Sequence, residues 1–301
     1  MKGGRQQVTK NMRLTLIVFL VMNSFLLDHA KPGSYFDYSQ PGQDRWVRNY
    51  PLCAGGLQSP IPIAASRSVA LPLPALEMIG YHDYLQPPFT LRNNGHTVVL
   101  KIKDESIRKR TPYIFGVLLK ENDKFELESL HFHWGLKNGR GSEHVLHGTR
   151  RVNISFFLNF LTTAKLKFLE EEENRHLSFL IPHLKEVQNV NSESRLNNSI
   201  ELSTLLPVDV DTYYTYKGSL TTPPCNEVVT WTVFAATVPV SFKQMNKFRL
   251  LSDGKGILAD NFRYLQNVQN RKIYVRRPNA TLMGKNEIID FDPSNLKWHW
   301  T

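Results

Sequence analysis

The chain is poor in cysteine, holds one short apolar run near its start, and carries no Gly-, Ser- or Pro-rich stretch that reads as a linker. Each shortage excludes something. Without a linker, 301 residues of 41% hydrophobic and 11% aromatic composition read as one domain around one large core. The two cysteines, Cys53 and Cys225, permit a single long-range disulfide in an oxidising compartment, with two buried thiols as the alternative. Internal repeats and low-complexity tracts are absent. The Lys and Arg residues are scattered, apart from Arg108-Lys109-Arg110 and Arg271-Lys272 with Arg276-Arg277. No basic stripe is interleaved with aromatics, so nucleic acid is not an expected partner.

What is present begins with a leader. Lys2, Arg5, Lys10 and Arg13 precede the apolar run 14–27, and Asp28-His29-Ala30 follows it. That layout is a secretory signal peptide over 1–30, too short for a transmembrane anchor, so a secreted, extracellular chain with no membrane span after cleavage is expected. Removing its four Lys/Arg and one Asp lowers the net charge from +10 to +7. Three sequons, at Asn153, Asn197 and Asn279, become glycosylation candidates in that compartment. The domain is expected over 31–278, with a tail over 279–301 where charge and Asn content rise and periodicity fades.

From Phe89 onward the sequence reads as short strands rich in β-branched and aromatic residues: 89–92, 97–102, 113–119, 127–134 and 229–240. Asn93-Asn94-Gly95 supplies a tight turn between the first two. Leu177, Leu180, Ile181, Leu184 and Val187 recur at helical spacing after Asn174, a candidate cap, and predict a surface helix that Pro182 bends or begins. The class is a β-rich α+β single domain.

The sharpest local feature is His131-Phe132-His133-Trp134 at a predicted strand end. Side chains alternate along a strand, so the two imidazoles share one face and form half of a tetrahedral zinc site. Alone, a His-x-His pair is more often two satisfied polar residues. Its company changes the reading: Gln58-Ser59-Pro60-Ile61, Asn93-Asn94-Gly95-His96, Gly141-Ser142-Glu143-His144, Ser219-Leu220-Thr221-Thr222-Pro223-Pro224-Cys225, Val229-Thr230-Trp231 and Asn261-Phe262-Arg263. In this order, over about residues 35–277, the chain resembles the α-carbonic anhydrases, secreted type.

The resemblance implies the family's fold, a central twisted, mostly antiparallel sheet with short surface helices, and its reaction, the reversible zinc-dependent hydration of carbon dioxide to bicarbonate and a proton. His131 and His133 match the first two zinc ligands; zinc on three imidazoles lowers the pKa of water to about 7. Thr221 matches the threonine that orients the attacking hydroxide, and Glu143 the carboxylate that accepts from it. His96 matches the proton shuttle, suited by an imidazole pKa near neutrality. Tyr38 and Asn94 match polar residues that order cavity water. Leu220, Thr222, Val229 and Trp231 match the substrate pocket, and Cys53 with Cys225 the disulfide of secreted members.

One segment departs from the family. The third zinc histidine belongs on a strand soon after Glu143-His144, and that segment here is Arg151-Val152-Asn153-Ile154-Ser155-Phe156-Phe157-Leu158. The ligand place falls on Phe156 or Phe157, with Ile154 or Ser155 replacing a glutamate two places earlier, and His147 is a poor substitute because it should occupy a turn. A phenyl group coordinates nothing, so weak or absent activity is expected. A non-catalytic secreted binding module is the alternative reading.

Overall fold

The computed structural model describes residues 36–102, 111–116, 124–148, 152–158, 161–169 and 173–277. The chain divides by contact into Met1–Asp37 and Tyr38–Thr301, and the fold described here is that of the second unit.

Its strands are β1 (Pro62–Ile63), β2 (Ser68–Leu71), β3 (Leu76–Ile79), β4 (Tyr84–Leu85), β5 (Phe89–Asn93), β6 (Val98–Lys101), β7 (Tyr113–Gly116), β8 (Phe125–His133), β9 (Val145–Leu146), β10 (Val152–Leu158), β11 (Leu161–Leu169), β12 (Glu193–Leu196), β13 (Ile200–Glu201), β14 (Tyr213–Gly218), β15 (Val229–Ser241) and β16 (Ile273–Arg276). Among the described residues twelve strands form one sheet, running β12-β5-β6-β8-β10-β11-β15-β14-β16-β2, with β3 and β7 attached beside β8. Within that sheet pairing is antiparallel except for β11 with β15 and β16 with β2. The strands at 89–92, 97–102, 113–119, 127–134 and 229–240 are the predicted ones, within a residue or two where described.

The Asn93-Asn94-Gly95 turn forms because Gly95 takes φ 83°, where a side chain is disfavoured. Asn94 Oδ1 accepts from the backbone N–H groups of His96 and Thr97 at 2.9 and 2.8 Å. β8 alternates as its sequence requires: Leu130 and Phe132 are buried in the core with Trp134, while Ser129, His131 and His133 occupy the other face.

Two helices escaped the sequence reading. α1 (Gln40–Asn49) starts at Ser39, whose hydroxyl accepts from Gly42 N at 3.0 Å, and buries Trp46. α2 (Phe242–Phe248) carries a Ser241/Gln244 capping box and sets Phe248 against Phe132 and Trp134, with ring centroids 5.2 and 5.3 Å apart. The helix expected around Leu177 is instead two 3-10 segments, Arg175–Leu177 and Ile181–Val187. Asn174 does cap the first, accepting from His176 N at 2.9 Å, and Pro182 stands at the start of the second. These segments are not superficial, since Leu177, Leu180, Leu184 and Val187 are buried in the core. The i, i+3 spacing suits a 3-10 turn as well as an α-turn, which is why the pattern misled.

Candidate active site

The site grows from the free face of β8. His131 and His133 lie edge to face, with ring centroids 4.9 Å apart. Burial, then the neighbouring His133, holds the His131 imidazole well below the usual histidine range, so it is neutral. His133 is fixed by Asn261, whose backbone carbonyl lies 2.7 Å from Nδ1. A carbonyl only accepts, so Nδ1 carries a proton, and in a neutral ring Nε2 keeps its lone pair. Nε2 is buried, has no hydrogen-bond partner, and faces Glu143 Oε2 at 3.3 Å. An imidazole lone pair facing a carboxylate oxygen calls for a proton or a cation between them.

Glu143, 1% exposed, accepts the hydroxyl proton of Thr221 at 2.9 Å. A carboxylate has no proton to give, so Thr221 donates here and keeps its lone pairs for an incoming O–H. The loop carrying Thr221 is tied down by groups that the sequence reading quoted as motifs without giving them work. Ser219 and Ser59 exchange two bonds: Ser219 Oγ accepts from Ser59 N at 2.9 Å, and Ser59 Oγ accepts from Ser219 N at 3.1 Å. Gly218 is required for that approach, because a Cβ there would lie 2.1 Å from Ser59 Oγ. Gln58 Nε2 donates to Cys225 O at 3.2 Å, while Arg263 Nη1 donates to Gln58 Oε1 at 2.7 Å. Cys53 and Cys225 form a disulfide, their Cα atoms 4.9 Å apart. Leu220, Val229 and Trp231 are buried beside this loop, Thr222 is half-buried, and Trp231 Nε1 donates to Ser219 O at 3.1 Å.

His96 is half-buried in its turn, and its ring lies 6.3 Å from that of Tyr38. Burial first, then the charge of Glu143, raises the Tyr38 phenol, so it is a neutral donor. Asn94 is exposed, and its carbonyl oxygen is spent on the turn that presents His96. Asn261 is the largest omission of the sequence reading. Its side chain accepts from Trp134 N at 2.8 Å and donates to His96 O and Phe132 O at 3.0 and 3.1 Å, joining the His96 turn to β8.

The strand beside the histidines is β10, which pairs antiparallel with β8. Ser155 pairs with His131 and Asn153 with His133. Directly opposed residues of an antiparallel pair share a face. Phe156 pairs with Leu130, Ile154 with Phe132, and Phe157 with Ser129, two pairs along from His131. His147 is in an exposed turn, with Nε2 3.3 Å from Tyr214 Oη. Asn153 lies within a strand paired on both sides, to β8 and β11, rather than in the loop that its sequon implies. Asn197 is exposed between β12 and β13, and Asn279 lies outside the described residues.

A family description for eukaryotic-type carbonic anhydrase matches residues 41–156 and 158–277. The chain belongs to that family. Among similar proteins, carbonic anhydrase 15 of Mus musculus is 32% identical over 79% of this chain and 81% of its own length. Carbonic anhydrase 6 of Homo sapiens is 29% identical over 86% and 89%, and a putative carbonic anhydrase 3 of Caenorhabditis elegans is 32% identical over 80% and 96%.

Carbonic anhydrases depend on zinc, and the described residues of this chain do not fit a zinc held by three protein groups. The buried His133 Nε2, without a hydrogen-bond partner, and the neutral His131 are suited to a metal, but the strand positions across from them carry serine and asparagine. Zinc takes its protein ligands from Cys, His, Asp and Glu. Among the described residues no three of these types are grouped to hold a metal ion. Among them, too, no helix is long and apolar enough to cross a membrane.

Proposed function

We propose that this chain is a carbonic anhydrase with its substrate cavity and proton-handling groups in place and its metal centre reduced to two imidazoles, so that it hydrates carbon dioxide weakly or not at all. The observation that carries the proposal is the β10 register, which puts Ser155 and Asn153 across from His131 and His133. The rest of the machinery supports the enzyme lineage. Thr221, oriented by Glu143, is ready to accept from a bound O–H. Leu220, Val229 and Trp231 offer apolar surface to carbon dioxide, with Thr222 at its edge, and His96 with Tyr38 lies where a proton would leave toward solvent. Bicarbonate is the corresponding product. The 1–30 leader and the Cys53–Cys225 bridge support a secreted, oxidised chain, and the exposure of Asn197 favours it as the occupied sequon.

Zinc content by mass spectrometry, measured on the same folded sample as carbon dioxide hydration, tests the proposal. Substoichiometric zinc with hydration near the uncatalysed rate is expected. One zinc per chain with rapid turnover would overturn it.

A further inference from the structure

We infer that two copies of this chain pair edge to edge through β12, antiparallel about a two-fold axis at Ser194, and join their sheets into one.

Among the described residues β12 ends the twelve-stranded sheet on its side and pairs with β5 alone. Asn93 N donates to Ser192 O at 3.1 Å, and that pair continues the β5–β12 register. Backbone bonding alternates along an antiparallel pair, so Ser194 and Leu196 turn their N–H and C=O groups toward β5, while Glu193 and Arg195 turn theirs to the outer edge. Among the described residues no backbone bond outside the strand ladders reaches Glu193 or Arg195.

The side chains divide in the same way. Ser194 and Leu196 are buried, and Ser194 Oγ donates to Glu186 Oε2 of the 3-10 segment Ile181–Val187 at 2.5 Å. Glu193 and Arg195 are exposed on the opposite face, which is also the face of His131, since Glu193, Arg92, Val99 and His131 form one cross-strand row.

Native sheets blunt an open edge with like charges or proline, and at the other end of this sheet β2 runs into Pro72, which has no N–H to give. The charges on β12 do the reverse. In an antiparallel pair centred on Ser194, Glu193 of each copy opposes Arg195 of the other, and these are the residues whose backbone groups point outward. Backbone bonds and opposite-charge pairs therefore form at the same two places. Glu193 Oε1 already lies 3.6 Å from Nη1 of its own Arg92, and in the dimer it stands between two guanidinium groups. Among the described residues no ion pair uses Arg195. A two-fold contact consumes the edge that makes it, so assembly stops at two copies. The axis is normal to the sheet, so both candidate sites open on the same side, with the His131 positions roughly 34 Å apart along the joined strands.

Sedimentation velocity tests the inference on the full chain, on Arg195→Glu and on Glu193→Arg, each checked for folding by near-ultraviolet circular dichroism. A four-residue edge makes a small interface, so the parent should dimerise with a Kd of about 10–100 µM. Each variant sets like charges against each other at both places and should raise that Kd about 10-fold or more. Mixing the two variants restores opposite charges at both places, so a heterodimer should form about as readily as the parent dimer. A parent that stays monomeric at about 200 µM overturns the inference. So does a parent dimer that both variants leave unchanged, which would place the contact elsewhere, and so does a mixture that stays monomeric. Should either variant fail to fold, amide hydrogen exchange of the parent decides: exchange at Glu193 and Arg195 that slows as protein concentration rises supports the pairing, and exchange independent of concentration refutes it.

Discussion

Replacing Asn261 by alanine should loosen the site and the core together. The side chain is wholly buried and makes three hydrogen bonds, accepting from Trp134 N and donating to His96 O and Phe132 O. Loss of the acceptor strands the Trp134 N–H among apolar groups, at about 1–3 kcal/mol for a buried unpaired donor. The two donated bonds contribute about 0.5–1.5 kcal/mol each, at the low end for Phe132 O, which also accepts from Thr97 Oγ1 at 2.5 Å. The total is about 2–5 kcal/mol, a large share of the roughly 5–15 kcal/mol that separates a folded domain from its unfolded chain. Urea unfolding of Asn261→Ala followed by tryptophan fluorescence should show a midpoint lower by about 1 M or more, with unchanged slope. The bond from His133 Nδ1 to the backbone carbonyl of residue 261 survives the substitution, so the imidazole tautomer should persist while the His96 turn comes free of β8. A loss below about 1 kcal/mol would refute the reasoning, because it would mean that water or a neighbour satisfies all three groups at no cost.

Two further predictions concern groups outside that hub. Cys53→Ser with Cys225→Ser opens a link between residues 172 apart, and should cost about 2–5 kcal/mol; equal denaturation midpoints for oxidised parent and double variant would contradict the prediction. Burial holds the half-buried Lys217 ammonium down to about 8, against 10.5 for a free lysine. The unfolded chain therefore binds the extra proton between pH 8 and 10.5, so stability rises with pH across that window, while below pH 8 the folded chain carries a charged, partly desolvated lysine. Lys217→Met should melt higher than the parent at pH 7, and the gap should shrink as pH approaches 10.5; a gap independent of pH would refute the assignment.

The sequence by itself determined more of the strands than of the helices. Runs such as Val98–Lys101 and Val229–Ser241 are legible because β-branched and aromatic residues bounded by turn signals state a strand locally. The His131/His133 pair is legible for the same reason, since alternation along one strand puts both rings on one face. α1 is not legible because its buried content is chiefly Trp46 among polar residues, and the Ser39 cap with Pro41 is a short-range signal that marks a turn as readily as a helix start. The 3-10 segments were misread because Leu177, Leu180, Leu184 and Val187 satisfy either helical period, and packing decides between them.

That the segment 151–158 carries no histidine is visible in the sequence, but the register of that segment is not. Sliding that segment by one residue leaves its composition unchanged and exchanges its two faces, so Phe156 and Phe157 are equivalent readings of the segment until a neighbouring strand fixes the register. That register comes from the pairing of β10 with β8 and β11, contacts absent from any one segment. The role of Asn261 belongs to the same class: 128 residues separate it from His133, and only the closed sheet brings its carbonyl against that ring. Local chemistry thus announces which side chains can act, while their partners and distances belong to the tertiary structure, because hydrogen bonds and strand registers are settled between segments far apart in the chain.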